Sequence, residues 1–362
     1  DDVKNKLVFW EYKDGSWINR GVDTSLGMEG VSLRAVEPDH SDELWVTVFG
    51  YTRPSSLFLM TVEDLCGGKL PTMQPLKTLP AFFKADDIEV QQFFATSLDG
   101  TKVPYFQLSK KGLTHDGSNP TLLYGYGGFE ISLTPVYAGA RGVAWLEHGG
   151  VWIDANIRGG GEYGPRWHQA AKKENRNKAF EDFEAVAEDL LKRRVTSRAK
   201  LAVEGGSNGG LLVGNMLVRE KRELLGAVVC QVPLLDMKRY SQLLAGASWM
   251  GEYGDPSTSD WDFLQKYSPY HLVKEDGTYP PALFMTSTKD DRVHPGHARK
   301  MVAKLLEHPK AKENTFYYEN IEGGHGGAAD NKQRAFMQVV RYAFLWRTLM
   351  NGKLPETLKE LF

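Results

Sequence analysis

Six short apolar runs recur along the later part of the chain, at Thr121 to Tyr124, Val151 to Ala155, Leu201 to Val203, Ala227 to Val232, Ala282 to Thr286 and Thr315 to Tyr318. They read as parallel central strands, buried on both faces. Between them apolar residues fall at helical spacing: Phe183, Val186, Ala187, Leu190 and Leu191, and again Phe336, Val339, Val340, Ala343 and Phe344. Strand and helix in alternation over this length predict an open, mostly parallel, doubly wound α/β sheet. Its ligand site should lie at the carboxyl ends of the strands.

The α/β texture starts near Glu89 with a hairpin, Val90 to Thr96 and Lys102 to Ser109, around Leu98-Asp99-Gly100-Thr101. Residues 1–88 read differently, as short β segments at Lys6 to Tyr12, Ser32 to Ala35, Glu43 to Phe49 and Ser56 to Val62. Trp45, Thr47 and Phe49 against Leu44, Val46 and Val48 give no clean alternation, so this strand is expected to be covered on both faces. Two domains are therefore expected, a β-rich segment over 1–88 and an α/β domain over 89–362.

The 362 residues carry 44 Lys plus Arg against 46 Asp plus Glu, a net charge of −2, with 41% hydrophobic residues. That is a folded soluble composition, without the basic excess that draws a protein to nucleic acid or to an anionic membrane. No apolar run is long enough to span a bilayer, and Asp1 to Lys6 do not open a signal peptide, so a cytoplasmic location is expected. Cys66 and Cys230 are too few for a disulfide framework and form no C-x-x-C pair. They are expected to be free thiols. The 37 glycines cluster at four places in the second half, and the chemistry is expected there.

After the strand Leu201 to Val203 comes Gly205-Gly206-Ser207-Asn208-Gly209-Gly210, followed by the apolar helix start Leu211-Leu212-Val213. This is G-x-S-x-G between a strand and a helix. A sharp turn there strains the serine and presents its hydroxyl at the sheet edge, and small neighbours let the backbones approach. Ser207 is the candidate nucleophile. A serine hydroxyl needs a base and a carboxylate to orient that base, in the chain order serine, acid, histidine on this fold. The strand ends supply both. Asp290, with Asp291 as runner-up, follows Ala282 to Thr286, and His325, flanked by Gly324 and Gly326, follows Thr315 to Tyr318.

Negative charge developing on a carbonyl oxygen needs donors already in place. The Asn208 amide and the Tyr126 hydroxyl, from the loop Tyr124 to Phe129, are the expected pair. Other motifs read as structural. His294 and His297 lack the spacing of a zinc site and read as a helix start, and His148-Gly149-Gly150 precedes a strand where an oxyanion loop must follow one. Gly159 to Gly164 fits G-x-G-x-x-G, but Pro165, Arg166 and Trp167 stand where a tightly packed helix start would be needed. The acidic run Glu181, Asp182, Glu184, Glu188 and Asp189 is expected on a solvated helix face.

Taken together, Tyr124 to Phe129, Asn156 to Gly164, Gly205 to Leu212, Asp290 to Val293 and Gly324 to Gly326 resemble the prolyl oligopeptidase family, in particular its prolyl endopeptidase branch. The likeness runs almost continuously from about residue 89, while residues 1–88 resemble only the last blades of that family's β-propeller. It implies an α/β-hydrolase fold, Ser207, Asp290 and His325 as catalytic triad, and Tyr126 with the Asn208 amide as oxyanion hole. It further implies Trp249 as the platform for a substrate proline ring, with Tyr253 and Val293 beside it, Arg292 as donor to a substrate carbonyl, and Phe129 in the next apolar subsite.

The resemblance thus implies a serine peptidase that cleaves on the carboxyl side of proline in oligopeptides through an acyl-enzyme, with no metal or organic cofactor. A promiscuous carboxylesterase and a catalytically idle binding module are the alternatives. Without a full propeller the chain is expected to be a fragment of a longer enzyme or a natural truncation. Exposed sheet edges in the β-rich segment then predict self-association or mobility there.

Overall fold

The computed structural model describes residues 2–23, 26–67, 70 and 74–352. Two compact units emerge, one running to Val90 and including Thr134–Glu147, the other made of Gln91–Leu133 and the residues from His148 on.

In the first unit β1 (Leu7–Lys13) and β2 (Ser16–Asp23) form an antiparallel ribbon. Its turn residues Asp14 and Gly15 both have positive φ, 51° and 82°, the geometry that matches the twist of a two-residue hairpin. A four-stranded antiparallel sheet follows in the order β3 (Gly30–Ala35), β4 (Glu43–Phe49), β5 (Ser56–Thr61) and β6 (Lys77–Thr78). On β4, Val46 and Val48 are wholly buried with Phe58 and Met60 of β5, whereas Trp45, Thr47 and Phe49 keep partial exposure. The strand therefore alternates after all. Its second face carries large side chains that are only half covered, which hid the period in the sequence.

The second unit is built on an eight-stranded sheet. Its strands are β7 (Ile88–Thr96), β8 (Lys102–Lys110), β9 (Thr121–Gly125), β10 (Val151–Ala155), β11 (Leu201–Gly206), β12 (Ala227–Gln231), β13 (Ala282–Ser287) and β14 (Thr315–Asn320). They lie in the order β14-β13-β12-β11-β9-β10-β8-β7, and the six from β9 to β14 run parallel. The order turns back at β9 and β11, so the loops after these two strands open side by side at one rim. All six expected central strands are present, β10 with the predicted bounds.

Two helices differ from the sequence reading. In Asn177–Lys192 the apolar face is buried as predicted, but Asp182 and Glu184 are buried too. Asp182 takes the guanidinium of Arg158, and Glu184 that of Arg219 at 2.7 Å. These two acids are charge-paired inside the structure, so only part of the run is solvated, Glu188 being exposed as expected. Helix Asn331–Leu349 buries Met337, Tyr342, Leu345, Trp346 and Leu349, while Phe336 and Val339 are exposed. Apolar residues lie on several sides of this helix. Its buried side also holds Arg341, which meets the buried Glu204 of β11 at 2.5 Å, and Phe336 rests instead against Tyr318 of the edge strand β14.

Candidate active site

Ser207 follows β11 directly, with φ 59° and ψ −114°, a conformation that costs a residue with a side chain of the order of 1–3 kcal/mol. Packing enforces it. The Ser207 amide donates to the Gln231 carbonyl at 2.9 Å, and helix Asn208–Val218 begins at the next residue. The turn is so tight that a Cβ on Gly205 would stand 2.2 Å from the Gly209 carbonyl oxygen. As the first residue of the helix, Asn208 has no intrahelical acceptor for its amide.

His325 lies in the loop after β14, and its Nδ1 is 2.8 Å from Asp290 Oδ2. Asp290 is buried, and its Oδ1 accepts the amides of Arg292 and Val293 at 3.0 and 2.9 Å. Backbone and imidazole together fix the carboxylate, which stands behind the ring. Asp291 is exposed, and the imidazole contact belongs to Asp290.

Ser207 and His325 line one cavity of about 200 Å³ with Tyr126, Asn208, Phe129, Trp249, Tyr253, Arg292 and Val293, so every predicted site residue except Asp290 meets there. Ile131 and Leu234 also line it and carried no sequence signal. Burial pushes the Tyr126 phenol up, against the pull of Arg176, Arg292 and its hydrogen bond with Ser207, so the group remains a donor. Trp249 is half-buried, Val293 is buried, and Arg292 is exposed with no ion-pair partner among the described residues. A larger cavity, about 630 Å³, lies elsewhere, lined by Glu184, Glu188, Arg219 and Lys221, which pair with one another.

Under the site lies a buried polar network that sequence reasoning missed. Asn208 Nδ2 donates to the Tyr126 carbonyl at 2.6 Å, while Asn208 Oδ1 accepts from Tyr253 Oη at 2.7 Å and from Arg176. Arg176 Nη1 also reaches Glu252 Oε1 at 3.0 Å, and the same oxygen accepts the Phe129 amide at 3.0 Å. His168 Nε2 stands 2.7 Å from Glu252 Oε2. Arg176 and Glu252 come from segments with no motif of their own, and only the proximity of Glu252 to Trp249 and Tyr253 in the chain hinted at a role.

The decoys are accounted for by contacts. In the loop Asn156 to Gly164, a Cβ on Gly159 would stand 2.4 Å from the Gly127 carbonyl oxygen, so these glycines let two loops touch. The helix that follows, Pro165–Gln169, is only five residues long. His297 is buried in helix Gly296–Leu306, where Nδ1 accepts the Asp236 amide at 3.1 Å. Among the described residues no group of three His, Cys, Asp or Glu is placed to hold a metal ion, and no helix is long and apolar enough to cross a membrane. Cys66 and Cys230 are free thiols, the second buried.

Known proteins resemble this chain in sequence and in structure. The family model described as the prolyl oligopeptidase family matches residues 139–352. An uncharacterized peptidase of Sinorhizobium fredii is 48% identical over 97% of this chain and 47% of its own length. A prolyl endopeptidase of Elizabethkingia miricola is 39% identical over 80% of this chain and 40% of its own. A solved post-proline cleaving enzyme from Rickettsia typhi superposes with a TM-score of 0.85 at 35% identity, covering 98% of this chain and 50% of that one. The chain thus spans about half the length of the curated relatives it matches.

Proposed function

The chain belongs to the prolyl oligopeptidase family, and from that premise we propose that it carries the hydrolytic centre of a serine peptidase acting on the carboxyl side of proline in oligopeptides. The observation that carries this reading is the meeting of Ser207, His325 and the Trp249 ring at one cavity of about 200 Å³. Ser207 Oγ attacks the carbonyl carbon of the proline residue itself and His325 takes the serine proton, while Asp290 keeps the imidazole in the tautomer that accepts at Nε2. The Asn208 amide and the Tyr126 hydroxyl stabilise the oxyanion. His325 then protonates the leaving amine, and water releases the acyl group from Ser207 by the same steps in reverse order. A pyrrolidine is flat, apolar and without an N–H, so the Trp249 face can bury it without leaving a donor unpaired. Arg292, lacking an ion-pair partner among the described residues, is suited to a substrate carbonyl upstream of that proline.

The test is a proline-directed fluorogenic amide and a fluorophosphonate label, applied to the wild type and to Ser207→Ala and Trp249→Ala. Both signals should vanish in Ser207→Ala. In Trp249→Ala the label should persist while amide turnover falls at least about tenfold, since burying an aromatic contact is worth ~1–3 kcal/mol. Turnover of p-nitrophenyl esters without amide turnover would make the chain an esterase instead, and an unlabelled wild type would leave only the binding module.

A further inference from the structure

We infer that Arg176 and Glu252 are positioning residues that hold both oxyanion donors through one side chain, that of Asn208. The inference rests on the peptidase reading above. Asn208 stands at the crossing point. Its backbone supplies one donor, its Nδ2 fixes the carbonyl of Tyr126, and Tyr126 supplies the other donor. Its Oδ1 is held from two sides, by Tyr253 Oη at 2.7 Å and by Arg176. All these contacts are sheltered, with Asn208 2%, Tyr253 1%, Arg176 1% and Glu252 5% exposed.

Glu252 extends the grip to the loop that carries Tyr126. Phe129 and Glu130 have φ 55° and 57°, two successive side-chain-bearing residues in the left-handed region. Such a pair persists only where its surroundings over-determine it. The Phe129 amide donates to Glu252 Oε1 and the Glu130 amide to the Gly159 carbonyl at 3.2 Å, which hold the pair. Arg176 joins the two halves because its planar fork presents separate nitrogens, Nη1 to Glu252 and Nη2 to Asn208. A lysine ammonium carries its donors on a single nitrogen and lacks the fixed planar fork that reaches both acceptors at once.

The distinguishing experiment compares two ligands in Arg176→Lys and Glu252→Gln. A peptide aldehyde ending in proline adds to Ser207: Oγ bonds to the aldehyde carbon, the carbonyl π pair moves to oxygen, and the serine proton passes to His325. That adduct engages the oxyanion donors, whereas the product peptide with a free prolyl carboxylate fills the pocket without forming it. Both variants should lose roughly 10–100-fold in kcat with KM within about threefold of wild type. Aldehyde affinity should fall by the same factor, and product affinity should hold. An aldehyde-to-product affinity ratio within about twofold of wild type, in variants with wild-type circular dichroism, overturns the inference. Should neither variant fold, Tyr253→Phe decides: it removes only the hydroxyl that donates to Asn208, and an unmoved ratio there is equally fatal. Fluorophosphonate labelling of the wild type separates the two levels. Without it the peptidase reading fails, and with labelling and turnover intact but the ratio unmoved, only the positioning role falls.

Discussion

The Ser287 hydroxyl, at the end of β13, donates to the Gly327 carbonyl at 2.8 Å, so the strand that leads to Asp290 also ties down the loop that carries His325. Asp290 and His325 are thereby referred to one strand end. Both partners are buried, and Ser287→Ala would leave the carbonyl without its donor, at a cost of about 1–3 kcal/mol. We expect a lower urea midpoint and a fall in kcat larger than the change in KM, because the untied loop spends less time with the imidazole on Asp290. Equal kcat in the variant, read by steady-state turnover, would show that the other ties of the loop suffice.

The sharp turn at Ser207 discriminates between the two glycines that precede it. A Cβ on Gly205 meets the Gly209 carbonyl oxygen at 2.2 Å, backbone against backbone, whereas a Cβ on Gly206 finds nothing nearer than Gln231 at 3.7 Å. Gly205→Ala should therefore destabilise by roughly 1–3 kcal/mol, the range of an overpacked site, and Gly206→Ala by less than about 1 kcal/mol. Thermal unfolding of the two variants side by side checks this, and a similar loss in both would mean that the turn relaxes.

Such local rules explain what was legible in the sequence. The turn at Ser207, the strand ends before Asp290 and His325, and the glycine loop at Tyr126 are set by neighbours within a few residues, and the structure brings these residues together. What escaped reading depended on distant partners. Asp182 and Glu184 looked solvated because nothing near them in the chain announced Arg158 and Arg219. Helix Asn331–Leu349 offered more than one apolar face, and the buried one includes Arg341, whose partner Glu204 is 137 positions away. Arg176 and Glu252, 76 positions apart, belong to the same class.

The pairing of Arg341 with Glu204 gives a test of that last point. Both side chains are largely buried, at 11% and 2% exposure, and the pair joins the strand of Ser207 to the helix that follows the His325 loop. Removing one partner strands the other charge, so Arg341→Met should cost about 3–5 kcal/mol, and Glu204→Gln with Arg341→Met together should cost less than the sum of the two. A double-mutant cycle by urea unfolding measures the coupling. Additive losses would mean that the two charges are satisfied independently.

The buried His297 predicts an acid-side loss of stability unrelated to catalysis. Burial pushes its imidazole down to about 4, and among its neighbours Asp236 and Asp290 favour the charged ring while His294 and Lys300 oppose it. In the unfolded chain a histidine titrates near ~6.5. Between these values the unfolded chain binds a proton that the folded chain refuses, so stability falls as pH is lowered from about 6.5 toward 4, by on the order of 3 kcal/mol over the window. Above that window the ring is neutral in both states and contributes no pH dependence. Because Nδ1 accepts the Asp236 amide, His297→Gln retains an acceptor while removing the titrating group. Urea midpoints of the variant should decline less steeply between about pH 6.5 and 5, a range above most carboxylate titration. Parallel declines in wild type and variant would assign the acid sensitivity to other groups.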